Sequence, residues 1–124
     1  MWFAEHGAGV TCDGDEVTRG DAHCPIRAAT THEAYKIASP GVEWRMAKWC
    51  CAVDYPLVCL GETDVTVYQH SYLWDHLPGA LMVREIGGVV RTVDGAEYGP
   101  RETSGKLVVA ADEGAYERVA RLLR

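Results

Sequence analysis

A chain of 124 residues is long enough for one domain that buries roughly two thirds of its unfolded surface, and no shift in composition marks a second one. Lys+Arg 12 against Asp+Glu 18 leaves a net charge of −6, which opposes a nucleic-acid backbone or an anionic membrane in the absence of a basic patch. Arg118, Arg121 and Arg124 fall three apart near the end of the last predicted helix, where cations are favourable in themselves, so they do not make such a patch. Met1 to His6 lacks a basic region followed by an apolar run, and no uncharged apolar stretch is long enough to cross a bilayer. These features predict a soluble, cytoplasmic protein with neither nucleic-acid nor membrane partners.

Trp2 to Glu5 reads as a strand, Gly7-Ala8-Gly9 as a bend that tolerates no bulk, Val10 to Cys12 as the return, and Asp13-Gly14 as a tight hairpin turn. The acids Asp13, Asp15 and Glu16 lack the spacing of a calcium loop, and Asp-Gly at a hairpin has its own backbone reason. Arg19 to Pro25 is a surface connection, Ile26 to Ala29 a short strand, and Thr31 to Ala38 a helix of about two turns. Ser39-Pro40-Gly41 breaks the chain before Val42 to Met46, which alternates as an extended piece does.

Trp49 to Leu60 is mostly apolar and reads as a buried helix, kinked or restarted at Pro56 and ended by Gly61. Asp64 to Tyr68 alternates as a strand. Val89 to Val93 is the next strand with Asp94-Gly95 as its turn, and the continuous apolar run Lys106 to Ala110 predicts a central strand. Asp112 caps a final helix, Ala115 to Leu123. The five cysteines, Cys12, Cys24, Cys50, Cys51 and Cys59, lack C-x-x-C spacing and read as small apolar fillers, with a zinc site from Cys12, Cys24, His23 or His32 as the alternative.

The most informative stretch is Trp74 to Gly88. Asp75 is a good N-cap, Pro78 falls early in the helix, Leu77, Ala80, Leu81 and Ile86 give it an apolar side, and Gly87-Gly88 supplies a left-handed stop. Trp74 is expected to pack beneath the helix start, and Glu85, late on the helix, to be structural. His70 and His76 flank the acid and could move protons, but a loop His is more often a solvated polar group.

Trp-Asp followed by small residues, an apolar helix, Glu and Gly-Gly resembles the C-terminal signature of the inositol monophosphatase family. The likeness continues through Val89 to Gly95, through Asp54 to Asp64, and upstream through Met1 to Gly14, whose hairpin is similar to the family's "A-E-x-G-x-G-A…N-G" segment. The resemblance implies an α/β fold, a mixed sheet with flanking helices equivalent to the C-terminal half of the family's αβαβα sandwich. It further implies magnesium-dependent hydrolysis of a phosphate monoester, with Asp75 as a metal ligand and a small phosphorylated substrate. In the family the remaining ligands come from an N-terminal half with a Glu-Glu segment and an Asp-Pro-Ile/Leu-Asp-Gly-Thr motif. Neither is present here, so residues 1–124 are expected to form a single domain that lacks the catalytic half.

Two departures follow from the same comparison. The strand–helix passage after Pro25 is shorter than the family's, and bulky residues around Trp44 to Trp49 stand where well-known members have Gly-Ser or Gly-Thr. Three readings compete: one wall of a magnesium-dependent phosphatase whose other half is supplied by another polypeptide or is missing from this sequence, a non-catalytic remnant, and a small module that binds metal or a ligand through Cys and His. A half-fold leaves an apolar face or sheet edge uncovered, which predicts a homo-oligomer or a complementing chain.

Overall fold

The computed structural model describes residues 1–31, 39–70, 73–101 and 105–124. The helix expected over Thr31 to Ala38 falls almost wholly outside them. The chain opens with β1 (Trp2–Glu5), β2 (Gly9–Cys12) and the two-residue β3 (Asp15–Glu16), an antiparallel three-stranded sheet. Asp13 and Gly14, at φ 50° and 87°, make the two-residue turn between β2 and β3, the backbone that Asp-Gly favours. This hairpin unit is a sheet of its own, separate from the main sheet.

The main sheet comprises β4 (Ile26–Thr30), β5 (Val42–Met46), β6 (Val65–Tyr68), β7 (Val89–Thr92) and β8 (Leu107–Ala110), in the order β5-β4-β6-β8-β7. β5 and β6 run parallel to β4, while β8 pairs antiparallel with both β6 and β7. Every residue of β6 and β8 is buried, as continuous apolar runs require when both faces of a sheet are covered. β8 is thus an inner strand, although β6 holds the centre.

Each strand sends alternate side chains to opposite faces. On one face Val65, Val67, Val108 and Ala110 pack with Tyr116, Val119 and Ala120 of α3 (Glu113–Leu123). Asp112 caps that helix, accepting the Ala115 N–H at 2.8 Å. On the other face Tyr68, Val90, Leu107 and Val109 pack with Tyr55 and Val58 of α1 (Cys51–Cys59) and with Ala80 and Val83 of α2 (Leu73–Glu85). The hairpin sheet covers the far side of α2. The order of layers is therefore helix, sheet, helices, sheet. α2 lacks the single apolar stripe expected of it because it is covered from two sides.

Candidate active site

α1 and α2 position the site, and a buried polar cluster fixes them to each other. His76 is 4% exposed; its Nδ1 lies 2.8 Å from the Tyr55 hydroxyl. Its ring meets Tyr68, Tyr55 and Tyr98 edge to face, with centroids at 4.7, 5.8 and 6.2 Å. Such arrangements place the positive ring edge against the negative face. The expectation of a solvated loop histidine is therefore corrected: His76 is a core residue of the helix pair. Burial pushes its pKa below the ordinary 6.5, with Asp75 and Asp54 pulling the other way. The imidazole is neutral at neutral pH.

The close approach of the helices depends on Gly79. A Cβ added there would stand 2.3 Å from Cγ of Tyr55. At the start of α1 the N-cap Cys50 makes no side-chain capping bond. Asp54, buried within the first turn, serves instead by accepting the N–H groups of Lys48 (2.8 Å) and Cys50 (3.3 Å). Cys51 lies beside His76, its Sγ 3.8 Å from both ring nitrogens. Burial first, then Asp75 and Asp54, push its thiol up to about 11, so it is no thiolate nucleophile near neutral pH. The five cysteines are all free, and only Cys59 is fully buried, its thiol raised by burial to about 12.

Asp75 is the third residue of α2, within its first turn, and not the N-cap that the sequence suggests. Pro78 is correspondingly the sixth residue, beyond the first turn. A carboxylate at the third position still opposes the positive end of the helix dipole, but its side chain is exposed and faces two adjoining cavities. The larger, about 590 Å³, is lined by Trp2, Trp49, Pro56, Trp74, Pro78 and Met82. The smaller, about 250 Å³, is lined by Thr31, Tyr68, Gln69, His70 and His76. Trp49, Cys50, Cys51 and Asp75 border both. Asp75 thus stands where an aromatic lobe meets a polar one. Trp74, expected beneath the helix start, is 76% exposed at the rim of the aromatic lobe.

Two further carboxylates brace this arrangement. Glu85 takes the Gly9 N–H at 3.0 Å, and that bond, with others from Gly7 and Ala8, holds its carboxyl below the usual range. Gly7 and Gly9 have φ of 81° and 82°, a backbone that turns successive N–H groups toward one anion. Glu85 is thereby structural, as expected, and ties α2 to the hairpin. Asp64, fully buried, accepts Arg19 Nη2 at 2.7 Å, the Arg27 N–H at 2.9 Å and the His23 N–H at 3.0 Å. Arg19 also donates to the carbonyls of Val58 and Thr63 at the end of α1. This cluster anchors the connection after β3 against α1.

A magnesium ion is implied by the signature around Asp75. Magnesium wants near-octahedral oxygen coordination, and among the described residues no three His, Cys, Asp or Glu side chains converge on one point. The neighbours of Asp75 in both cavities are the thiols Cys50 and Cys51, soft ligands unsuited to magnesium. The described residues therefore bring one carboxylate to the two cavities and do not gather a cluster of acids for magnesium. For the zinc alternative, His23 is engaged by Asp64, with Nδ1 at 3.0 Å, and His32 lies outside the described residues. No described helix is long and apolar enough to cross a membrane.

The chain is a layered α/β fold with an acid in the first turn of a helix facing two cavities, and comparison with known proteins assigns its family. Residues 5–124 match the profile of the inositol monophosphatase family. The chain belongs to that family. It is 32% identical over 72 residues to the inositol-1-monophosphatase ImpA of Mycolicibacterium smegmatis, an alignment covering 58% of this chain and 25% of that protein. Among solved structures it superimposes on a Pyrococcus horikoshii protein with similarities to inositol-1 monophosphatase. There the TM-score is 0.82 at 17% identity, covering 99% of this chain and 52% of the other. Staphylococcal inositol monophosphatase-1 gives a TM-score of 0.80 at 14% identity, with 99% and 48% covered. These likenesses confirm the fold. The chain spans about half the length of the solved relatives it matches.

Proposed function

We propose that this chain carries the Asp75 wall of a magnesium-dependent phosphomonoesterase site, completed by carboxylates that residues 1–124 do not supply. The observation that carries the reading is the position of Asp75, an exposed carboxylate at the junction of two cavities, within the family's Trp-Asp signature. Related structures support the cofactor: an IMPase/NADP phosphatase has been solved with Mg2+ and phosphate, and another with NADP and Ca2+. When bound, magnesium would neutralise substrate phosphate and activate water. The part of this chain is to present one oxygen ligand on a helix start held rigid by the His76–Tyr55 contact. The neutral His76, turned inward, holds the two helices together.

A partner follows from the same reading. Phe3, Trp49, Val53, Leu60 and Trp74 are exposed large apolar residues, and a complementing chain or second copy would cover part of this surface. A monodisperse monomer at high concentration, measured by light scattering, would contradict the homo-oligomer. Phosphate release from inositol 1-phosphate in excess Mg2+, abolished in Asp75→Asn, is the expected activity of the completed site. Equal turnover by Asp75→Asn would remove Asp75 from it.

The second reading is a non-catalytic, oligomeric domain of the same family. It is favoured by one observation, that among the described residues no group of three His, Cys, Asp or Glu side chains gathers as a metal site. Absence of turnover both alone and with the N-terminal half of a family member would select it.

A further inference from the structure

We propose that Trp49, with Trp2 and Trp74, selects phosphomonoesters whose alcohol is a planar aromatic ring over those of a saturated polyol. The inference rests on the reading of Asp75 above and names the substrate class that this chain's cavity fits. Three indoles border the 590 Å³ lobe that begins at Asp75, a volume within the range of small-molecule sites. The lobe's remaining walls include Pro56, Pro78 and Met82. A polyol entering it would lose water from hydroxyls on both ring faces and find few acceptors or donors in return. An aromatic ring loses no hydrogen bonds and gains stacking on indole.

Trp49 is the residue whose presence the fold explains least. Its φ is 62°, the left-handed region where a bulky side chain is strained and glycine is not. It is 68% exposed, so core packing does not compensate. It stands immediately before Cys50 and Cys51 at the border of both lobes, beside Asp75. An indole held there at a backbone cost, and largely in water, is explained by what it would stack against.

The test is calorimetric titration of the purified chain, in Mg2+, with 1-naphthyl phosphate, 1-naphthol and inositol 1-phosphate. The wild type should bind naphthyl phosphate more tightly than inositol phosphate. Trp49→Gly suits the backbone and should fold; it should weaken both naphthyl ligands by roughly fivefold to tenfold, the size of one aromatic pair. Trp49→Phe should keep most of the affinity. Equal affinity of wild type and Trp49→Gly for the naphthyl ligands would overturn the proposal. So would a wild-type preference for inositol 1-phosphate, or no naphthyl binding at all. Asp75→Asn separates the two readings: it should leave 1-naphthol affinity intact and weaken only the phosphate ester. Unchanged ester affinity in that variant would refute the metal-ligand role while leaving the aromatic preference standing.

Discussion

The Tyr55 hydroxyl lies 2.8 Å from Nδ1 of His76, across the packed faces of α1 and α2. Because His76 follows Asp75 directly, this contact fixes the start of α2 and with it the direction of the carboxylate. Tyr55→Phe removes the hydroxyl and leaves the buried Nδ1 only the weak Cys51 thiol at 3.8 Å, a loss of about 1–3 kcal/mol. Chemical denaturation should show that loss without a change in secondary structure.

Gly79→Ala tests the spacing of the same two helices. The new Cβ would meet Cγ of Tyr55 at 2.3 Å, a ring locked in the core between Tyr68 and His76. Overpacking of this kind costs about 1–3 kcal/mol or more. Thermal unfolding should shift downward, and by more than for Gly95→Ala, where a Cβ meets nothing within 4 Å though φ is 98°.

His76 also predicts a pH dependence. Its folded pKa is lowered by burial from 6.5, so the unfolded chain binds this proton more readily than the folded one. The stability it contributes is present above pH 6.5 and is lost as the pH falls from there through the lower folded value. Unfolding free energies at pH 7.5 and 5.5 should differ less in His76→Phe than in the wild type. Asp75→Asn removes a charge that raises the histidine's pKa, so NMR titration of that variant should place His76 lower still.

Arg19→Met leaves Asp64 as a buried charge short of its cation. Burial pushes this carboxyl up, but the bonds from Arg27, His23 and Arg19 outweigh it and hold it below its usual range. Breaking one side of a buried pair costs about 3–5 kcal/mol. Asp64→Asn with Arg19→Met together should cost less than the sum of the single variants, a coupling that a double-mutant cycle reads directly.

Local signals carried much of this fold. The Asp13-Gly14 turn, the Asp112 cap and the buried run of β8 each follow from a few adjacent residues, whereas β6, which alternates in sequence, is buried on both faces because Thr66 is covered as well. Asp75 was legible as an acid at a helix start, but an acid in the first turn satisfies the dipole as a cap does, so the sequence placed the boundary three residues late. His76 could not be read as buried, because Tyr55, Tyr68 and Tyr98 reach it from three separate elements of the chain. The bond from Gly9 to Glu85 spans 76 residues and leaves no local trace, although glycines flanking a turn and a lone late glutamate were both visible. The exposure of Trp74 overturns the expectation that it packs beneath the helix start; nothing in its neighbours along the chain tells a buried indole from one at a cavity rim.

The claim that matters most is that Asp75 is a metal ligand. Mn2+, an oxygen-seeking stand-in for magnesium, can be titrated into the isotopically labelled chain while amide signals are followed by NMR. Paramagnetic broadening should centre on Asp75 and its cavity neighbours Trp49, Cys50 and Cys51, and should vanish there in Asp75→Asn. Broadening centred elsewhere, or unchanged in Asp75→Asn, would contradict the account.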